Sequence, residues 1–250
     1  GITIIARNST LKALRVRSNN KDEARHIRQL AGEQTDIGFN YLVVVPTIPQ
    51  PSLVGMANQP FENYALDWLG VPQNNDQWGK GITIAILDTG IGDHPVLNNV
   101  QIERISLVDS TENQESEYNG HGTAIASLIA GDNQAGIAPS AKLLSIQVMD
   151  SSGSGDSFTL ALGIVEAVDQ SASIISMSLG SYGYSPTLER AIVYAQENNV
   201  ILVASTGNDG MGEITYPARF DGVIAVAAID AESQRAEFSN FSDAVDIAAP

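Results

Sequence analysis

Residues 81–90, GITIAILDTG, leave few folds open to this chain. An apolar run of Ile82, Ile84, Ala85, Ile86 and Leu87 ends abruptly on Asp88-Thr89-Gly90. Near-continuous apolar character over so few residues reads as a strand buried on both faces, as found inside parallel sheets. Such sheets bind and react at the carboxyl ends of their strands, which is where Asp88 falls. A carboxylate at that place either caps a helix or does chemistry.

The rest of the chain agrees with a parallel sheet. Strand-like runs recur at residues 82–87, 102–108, 143–148, 174–177, 200–204 and 223–227, with helices starting near His121, Asp156 and Pro186 between them. Ser185 supplies a cap for the last helix and Pro186 its first turn. Alternation of this kind predicts an α/β fold, a parallel sheet with helices on both faces. Ahead of it stands a smaller α+β pattern: strands at 2–7 and 11–17, a helix capped by Asn19 or Asn20 with Ala24, Ile27 and Leu30 at helical spacing, a stop at Gly32, and a strand at 41–45. Residues 46–60 hold four of the ten prolines and read as an exposed linker open to proteolysis. A short amphipathic helix at 61–69 follows. The expected division is therefore 1–58, an α+β segment with its linker, and 59–250, the larger domain.

With 250 residues, 43% of them hydrophobic, the chain can bury a substantial core. It has no cysteine, which excludes disulfides, thiolate metal sites and a cysteine nucleophile. No apolar run approaches the roughly 18 residues that span a bilayer. The net charge of −16 is uneven: residues 1–60 carry seven Lys and Arg against four Asp and Glu, and the remainder carries six against twenty-five. An acidic body disfavours nucleic acid as a partner. The basic first part is complementary to it, which suggests docking of one on the other.

Three residues carry candidate chemistry. His121 opens a buried helix in Asn119-Gly120-His121-Gly122-Thr123, flanked by glycines that allow close approach. The neutral ring that a general base needs is favoured at a helix N-terminus. A lone histidine here would more often be structural, but beside a buried Asp88 it becomes a candidate base with an orienting partner. Asn208 follows a third apolar strand in Ser205-Thr206-Gly207-Asn208, where an amide can donate to a developing oxyanion or simply form the turn.

Taken together, these motifs resemble the subtilisin family of serine proteases. ITIAILDTGI resembles the family's aspartate motif and GHGTAIASLIAG its histidine motif. GIAPSAKLLSIQVM, SMSLG, ASTGN, YPARFDGVIAVAAID, FSNFS and AAP follow in the family's order over about residues 60–250. The resemblance implies a subtilisin-like fold and peptide-bond hydrolysis, with Asp88 orienting His121, His121 as general base and Asn208 as oxyanion donor. It also implies that Gly153-Ser154-Gly155 and Ser178-Leu179-Gly180 flank a polypeptide substrate bound as an added strand, and that Ala204, Ser205 and Thr206 line the primary specificity pocket. By pattern, the α+β segment resembles the second half of a subtilisin propeptide, an intramolecular chaperone and inhibitor of its own peptidase domain; an unrelated accessory domain is the alternative. Secretion, or another extracytoplasmic location, is the expectation that goes with the family.

The family's nucleophilic serine stands in a Gly-Thr-Ser motif some two dozen residues beyond Ala248-Ala249-Pro250, and none of the serines in the 250 residues occupies such a motif. The expectation is that the chain is a fragment, inactive by itself, whose partner is the missing C-terminal part of the peptidase domain. Two other readings stand beside it: an inactive subtilisin-like domain kept for peptide binding, and an aspartic protease using Asp88, since Asp-Thr-Gly also marks that class. No cofactor is expected. His94-Pro95 is followed by Val96 where the family often has an aspartate, and residues 121–136 are short for the family's calcium loop, so a tight calcium site is not expected and a weak one elsewhere stays open. Residues 150–161 resemble a calcium-binding EF-hand loop superficially, with Ala161 in place of the bidentate glutamate.

Overall fold

A computed structural model of the chain describes residues 2–32, 35–46, 65–108, 120–132 and 135–250. It begins with an antiparallel hairpin, β1 (Thr3–Asn8) and β2 (Ala13–Arg17), followed by helix α1 (Lys21–Ala31). Asn20 caps α1, its Oδ1 accepting from the backbone N–H groups of Asp22 at 3.1 Å and Glu23 at 2.9 Å. Gly32 ends it at φ 73°, where a side chain would be strained. The stripe Ala24, Ile27, Leu30 predicts a buried face, yet no residue of α1 is buried and Leu30 is 70% exposed. Periodicity makes a helix two-faced, but only an element packed against it buries the apolar face. Strand β3 (Leu42–Val44) then leaves this unit to pair elsewhere. The linker beyond Pro46, residues 61–64 of the expected helix and the 58/59 boundary lie outside the described residues. Of that helix one turn is described, α2 (Ala65–Trp68).

From residue 83 the chain alternates as expected: β4 (Thr83–Asp88), β5 (Ile102–Ser106), α3 (His121–Ala130), β6 (Lys142–Gln147), β7 (Ser154–Asp156), α4 (Ser157–Asp169), β8 (Ile174–Met177), α5 (Pro186–Glu197), β9 (Ile201–Ser205), β10 (Val223–Ala228) and β11 (Ile247–Ala249). Seven of these strands form one sheet, in the order β11-β10-β9-β8-β4-β6-β5, and every pairing in it is parallel. The chain leaves β4 for the edge strand β5, returns through β6, then crosses to the other side of β4 at β8. That reversal opens a crevice at the carboxyl end of β4. Strands β7 and β11 were not expected; three-residue strands show no readable period and exist only through their partners.

The sequence of β4 builds both faces of the sheet. Ala85 and Leu87 pack into a core with Leu160, Ile164 and Leu188 of α4 and α5, whereas Ile84 and Ile86 pack with Ala126 and Ala130 of α3. Alternate side chains of one strand thus hold helices on opposite faces. Helix α4 lies close because residue 163 is glycine: a Cβ there would stand 2.6 Å from Val148 Cγ1 and 3.2 Å from Leu87 Cδ2. At the end of this clamped strand Asp88 is held 1% exposed.

Candidate active site

Helix α3 brings its first residue onto the end of β4. His121 Nδ1 lies 2.9 Å from both carboxylate oxygens of Asp88. Oδ1 of Asp88 also accepts from the Thr89 N–H at 2.7 Å and the Thr89 hydroxyl at 3.1 Å, so the buried carboxylate is held from three directions. Thr89 Oγ1 in turn accepts from Gly122 N–H at 3.3 Å, and Thr123 Oγ1 accepts from Gly92 N–H at 2.9 Å. Two threonine hydroxyls therefore tie the start of the helix to the turn after the strand. The approach depends on Gly122, because a Cβ there would lie 2.3 Å from Gly90 O and 3.2 Å from Asp88 Oδ1. With Nδ1–H given to the carboxylate, the neutral imidazole presents Nε2 as an acceptor. That nitrogen makes no hydrogen bond among the described residues, and no serine hydroxyl is bonded to it.

Strand β9 delivers the third candidate. Asn208 follows Gly207, whose φ of 107° turns the chain sharply at the sheet edge. Together with Ser178, Ala204, Ser205 and Thr206, Asn208 lines a cavity of about 250 Å³. The Asn208 side chain makes no hydrogen bond among the described residues, and Ser205 Oγ is buried without a partner there. The structure therefore gathers Ala204, Ser205, Thr206, Asn208 and Ser178 around one cavity and pairs Asp88 with His121. Leu179 is 0% exposed and its side chain belongs to the core.

The two expected substrate edges are already joined by a strand. Val43 and Val44 of β3 pair antiparallel with Gly155 and Ser154 of β7. Val45 N–H continues that ladder by donating to Gly153 O at 2.9 Å, and on the other side Val44 exchanges two backbone hydrogen bonds of 3.1 Å with Gly180. Pro46 follows, without an N–H to continue the ladder. Val43 is 1% exposed. Around this strand the N-terminal unit makes polar contacts that no local sequence signal announces. Asn40 Oδ1 accepts from Phe158 N–H at 2.9 Å at the start of α4, Ser157 N–H donates to Tyr41 O at 2.9 Å, Arg15 pairs with Asp156 at 3.0 Å, and Arg190 pairs with Asp36 at 2.5 Å. Of these two ion pairs, Arg15–Asp156 has the sense that the charge distribution suggests, a base of the first part on an acid of the larger one, whereas Arg190–Asp36 runs the opposite way.

Among the described residues there is no group of three or more His, Asp or Glu arranged to hold a metal. In the stretch compared with a calcium loop, Asp150 Oδ1 instead accepts from Ser152 N–H, Ser152 Oγ and Ser154 N–H at 2.9, 2.6 and 3.0 Å. Partial burial opposes its charge, but these bonds outweigh it and hold the carboxyl below its usual range. The Ser127 hydroxyl donates to Thr123 O at 2.8 Å within α3.

Residues 79–250 match the model of the subtilase family, Peptidase S8. Over 181 residues the chain is 41% identical to a thermostable alkaline protease of Halalkalibacterium halodurans and 40% identical to subtilisin Savinase of Lederbergia lenta, in each case over 71% of this chain. It is 40% identical over 186 residues, 69% of this chain, to the major intracellular serine protease of Bacillus subtilis. The chain spans 49%, 66% and 58% of these three relatives. Among solved structures it is similar to a mutant of the protease domain of PatA, with TM-score 0.62 and 30% identity over 67% of this chain and 65% of that one. It is also similar to the prenylagaramide maturation protease PagA, with TM-score 0.60 and 34% identity over 70% and 65%.

Proposed function

The chain belongs to the subtilase family, and from that premise we propose that it is part of a serine endopeptidase acting on polypeptides. The observation that supports this most is the buried Asp88 carboxylate bonded through both oxygens to His121 Nδ1, with Nε2 left as an acceptor. In the proposed reaction Nε2 takes the proton of a serine hydroxyl as that oxygen attacks the scissile carbonyl. Asp88 stabilises the imidazolium that forms, and the amide of Asn208 donates to the oxyanion; the imidazolium then returns the proton to the leaving amine. The nucleophile comes from residues outside 1–250, so these 250 residues alone are inactive. A fluorophosphonate that labels a single serine of the full-length protein, with the labelled peptide mapping beyond residue 250, is the expected result. Labelling of a serine within 1–250 would overturn the assignment. Inhibition by pepstatin instead would favour the aspartic reading, which leaves His121 and Asn208 without a part. An active-site peptide binder that reacts with no serine reagent would be the inactive domain.

The N-terminal segment is proposed as the inhibitor and folding partner of the larger domain. Its β3 lies where the family resemblance places substrate, and Val43 and Val44 make the backbone bonds an added strand would make. Peptide 1–58 supplied in trans should inhibit the mature enzyme competitively, and absence of inhibition would remove this role. Export from the cytoplasm belongs to the same reading, although one relative is named an intracellular protease; fractionation of producing cells tests it. Among the described residues no helix is long and apolar enough to cross a membrane. A weak calcium site is retained only as a proposal, and unchanged thermal stability after chelation would remove it.

A further inference from the structure

Asn208 has to be aimed by its backbone, because its own side chain has no protein partner among the described residues. One buried side chain holds that backbone from several sides. Asn240 is 0% exposed, and it lies in the loop before β11. Its Oδ1 accepts from the N–H groups of Asp209 and Met211, both at 3.0 Å, and its Nδ2 donates to Thr206 O at 3.2 Å and to the Tyr182 hydroxyl at 2.9 Å. Its backbone N–H donates to Gly207 O at 2.9 Å, and its carbonyl accepts from Thr206 Oγ1 at 3.3 Å. Residues 206, 207, 209 and 211, on both sides of Asn208, are thus all tied to one residue.

The chemistry of the site asks for an amide. Two backbone donors and two oxygen acceptors converge on it, and a primary amide satisfies both sets. A carboxylate would turn two donor positions into repulsions, and an apolar side chain would leave buried polar groups unpaired. The fit is also tight. A Cβ at Gly207 would lie 2.5 Å from Asn240 Nδ2, so the turn and the amide are in direct contact. Tyr182 closes the network, donating its proton to Asp209 Oδ2 at 2.7 Å.

We propose that Asn240 is a positioning residue for the oxyanion site, setting the place of Asn208 through the backbone of residues 206–211. The proposal rests on the reading of Asn208 given above. It touches neither substrate nor reacting atoms itself. Displacing a donor by about 1 Å in such a site costs on the order of a hundredfold in turnover. The test is a double-mutant cycle in the full-length protein, with kcat and KM measured on a peptide substrate. Asn208→Ala is expected to lower kcat by about 10² to 10³. Asn240→Ala should lower kcat by about 10- to 100-fold with KM changed less than about threefold, and should cost less than about threefold when Asn208 is already Ala. Tyr182→Phe keeps the ring and removes one of the four side-chain partners of Asn240; it supplies a milder second variant, with a loss of a few-fold that also vanishes in the Asn208→Ala background.

An equal loss from Asn240→Ala or Tyr182→Phe with and without Asn208 would overturn the proposal, since a general structural role acts in both backgrounds. So would an unchanged kcat in both variants. If Asn208→Ala itself leaves kcat unchanged, the oxyanion role of Asn208 falls; if the parent protein cleaves no peptide, the protease reading falls. Each failure has its own signature.

Discussion

The larger domain and the N-terminal unit reach stability by opposite routes. In the larger domain β4 is enclosed on both faces, and its Asp88 is fixed by bonds from Thr89 and His121 that arise within the same sheet edge. Among its described residues the N-terminal unit has no interior of comparable kind. Its helix α1 buries nothing, and the described residues of the unit that are buried, Leu11, Ala13 and Val43, belong to the same core cluster as residues of the larger domain. The first region carries a core of its own on both faces of its sheet, whereas the described buried residues of the second share their core with the first. The contrast suits the roles proposed for the two regions: catalytic groups need fixed geometry, and a releasable inhibitor needs a stability that depends on contact.

The sharpest way to break this contrast is at the scaffold. Asp88→Asn in the full-length protein should lower kcat by about 10⁴, the scale on which loss of the orienting acid acts in such triads, while thermal unfolding moves little. Gly122→Ala should reduce both activity and stability, by roughly 2–3 kcal/mol in a denaturant titration, because its Cβ would lie 2.3 Å from Gly90 O. Changes in the docked unit should be milder and should appear in inhibition rather than catalysis. Val43→Ala removes buried apolar surface worth about 1.5 kcal/mol and should weaken inhibition by the 1–58 segment about tenfold, with the kcat of the mature enzyme unchanged. Arg15→Ala breaks a partly exposed pair with Asp156 and should weaken it no more than about fivefold, an effect that fades with added salt. A Val43→Ala variant that inhibits as well as the parent would mean that the unit has an order of its own.

The smallest expected effect is on the groove edge itself. The carboxyl of Asp150 is held below its ordinary range, burial opposing and the bonds from Ser152 and Ser154 prevailing. A lowered folded-state value means a contribution that is full above the unfolded carboxylate range and is lost as pH falls through the folded value. Amide exchange of residues 150–154 should therefore be insensitive to Asp150 protonation above about pH 5, once intrinsic exchange is corrected for, and should accelerate in more acidic solution. An Asp150→Ala variant should remove that dependence.

Much of this was readable along the chain. Buried parallel strands announce themselves by unbroken apolar runs, and residues 82–87 did so to within one residue of β4. Caps and stops at Asn20, Gly32, Ser185 and Pro186 are local chemistry, set by backbone groups a few residues away. The pairing of Asp88 with His121 was accessible because each ends or opens an element at the same sheet edge. Other features lie beyond local signals. Nothing near Val44 says that it will lie between Ser154 and Gly180, since a three-residue strand has no period and its partners are more than a hundred residues away. Nothing near Asn240 marks it off from an ordinary loop asparagine, because its four side-chain partners come from two other stretches of chain, Tyr182 and residues 206–211. Element types and the identity of the reactive side chains follow from short-range sterics, capping and burial patterns. The occupant of the groove and the anchoring of Asn208 follow from long-range pairing, which comes into existence only when the sheet closes and brings distant polar groups together out of water.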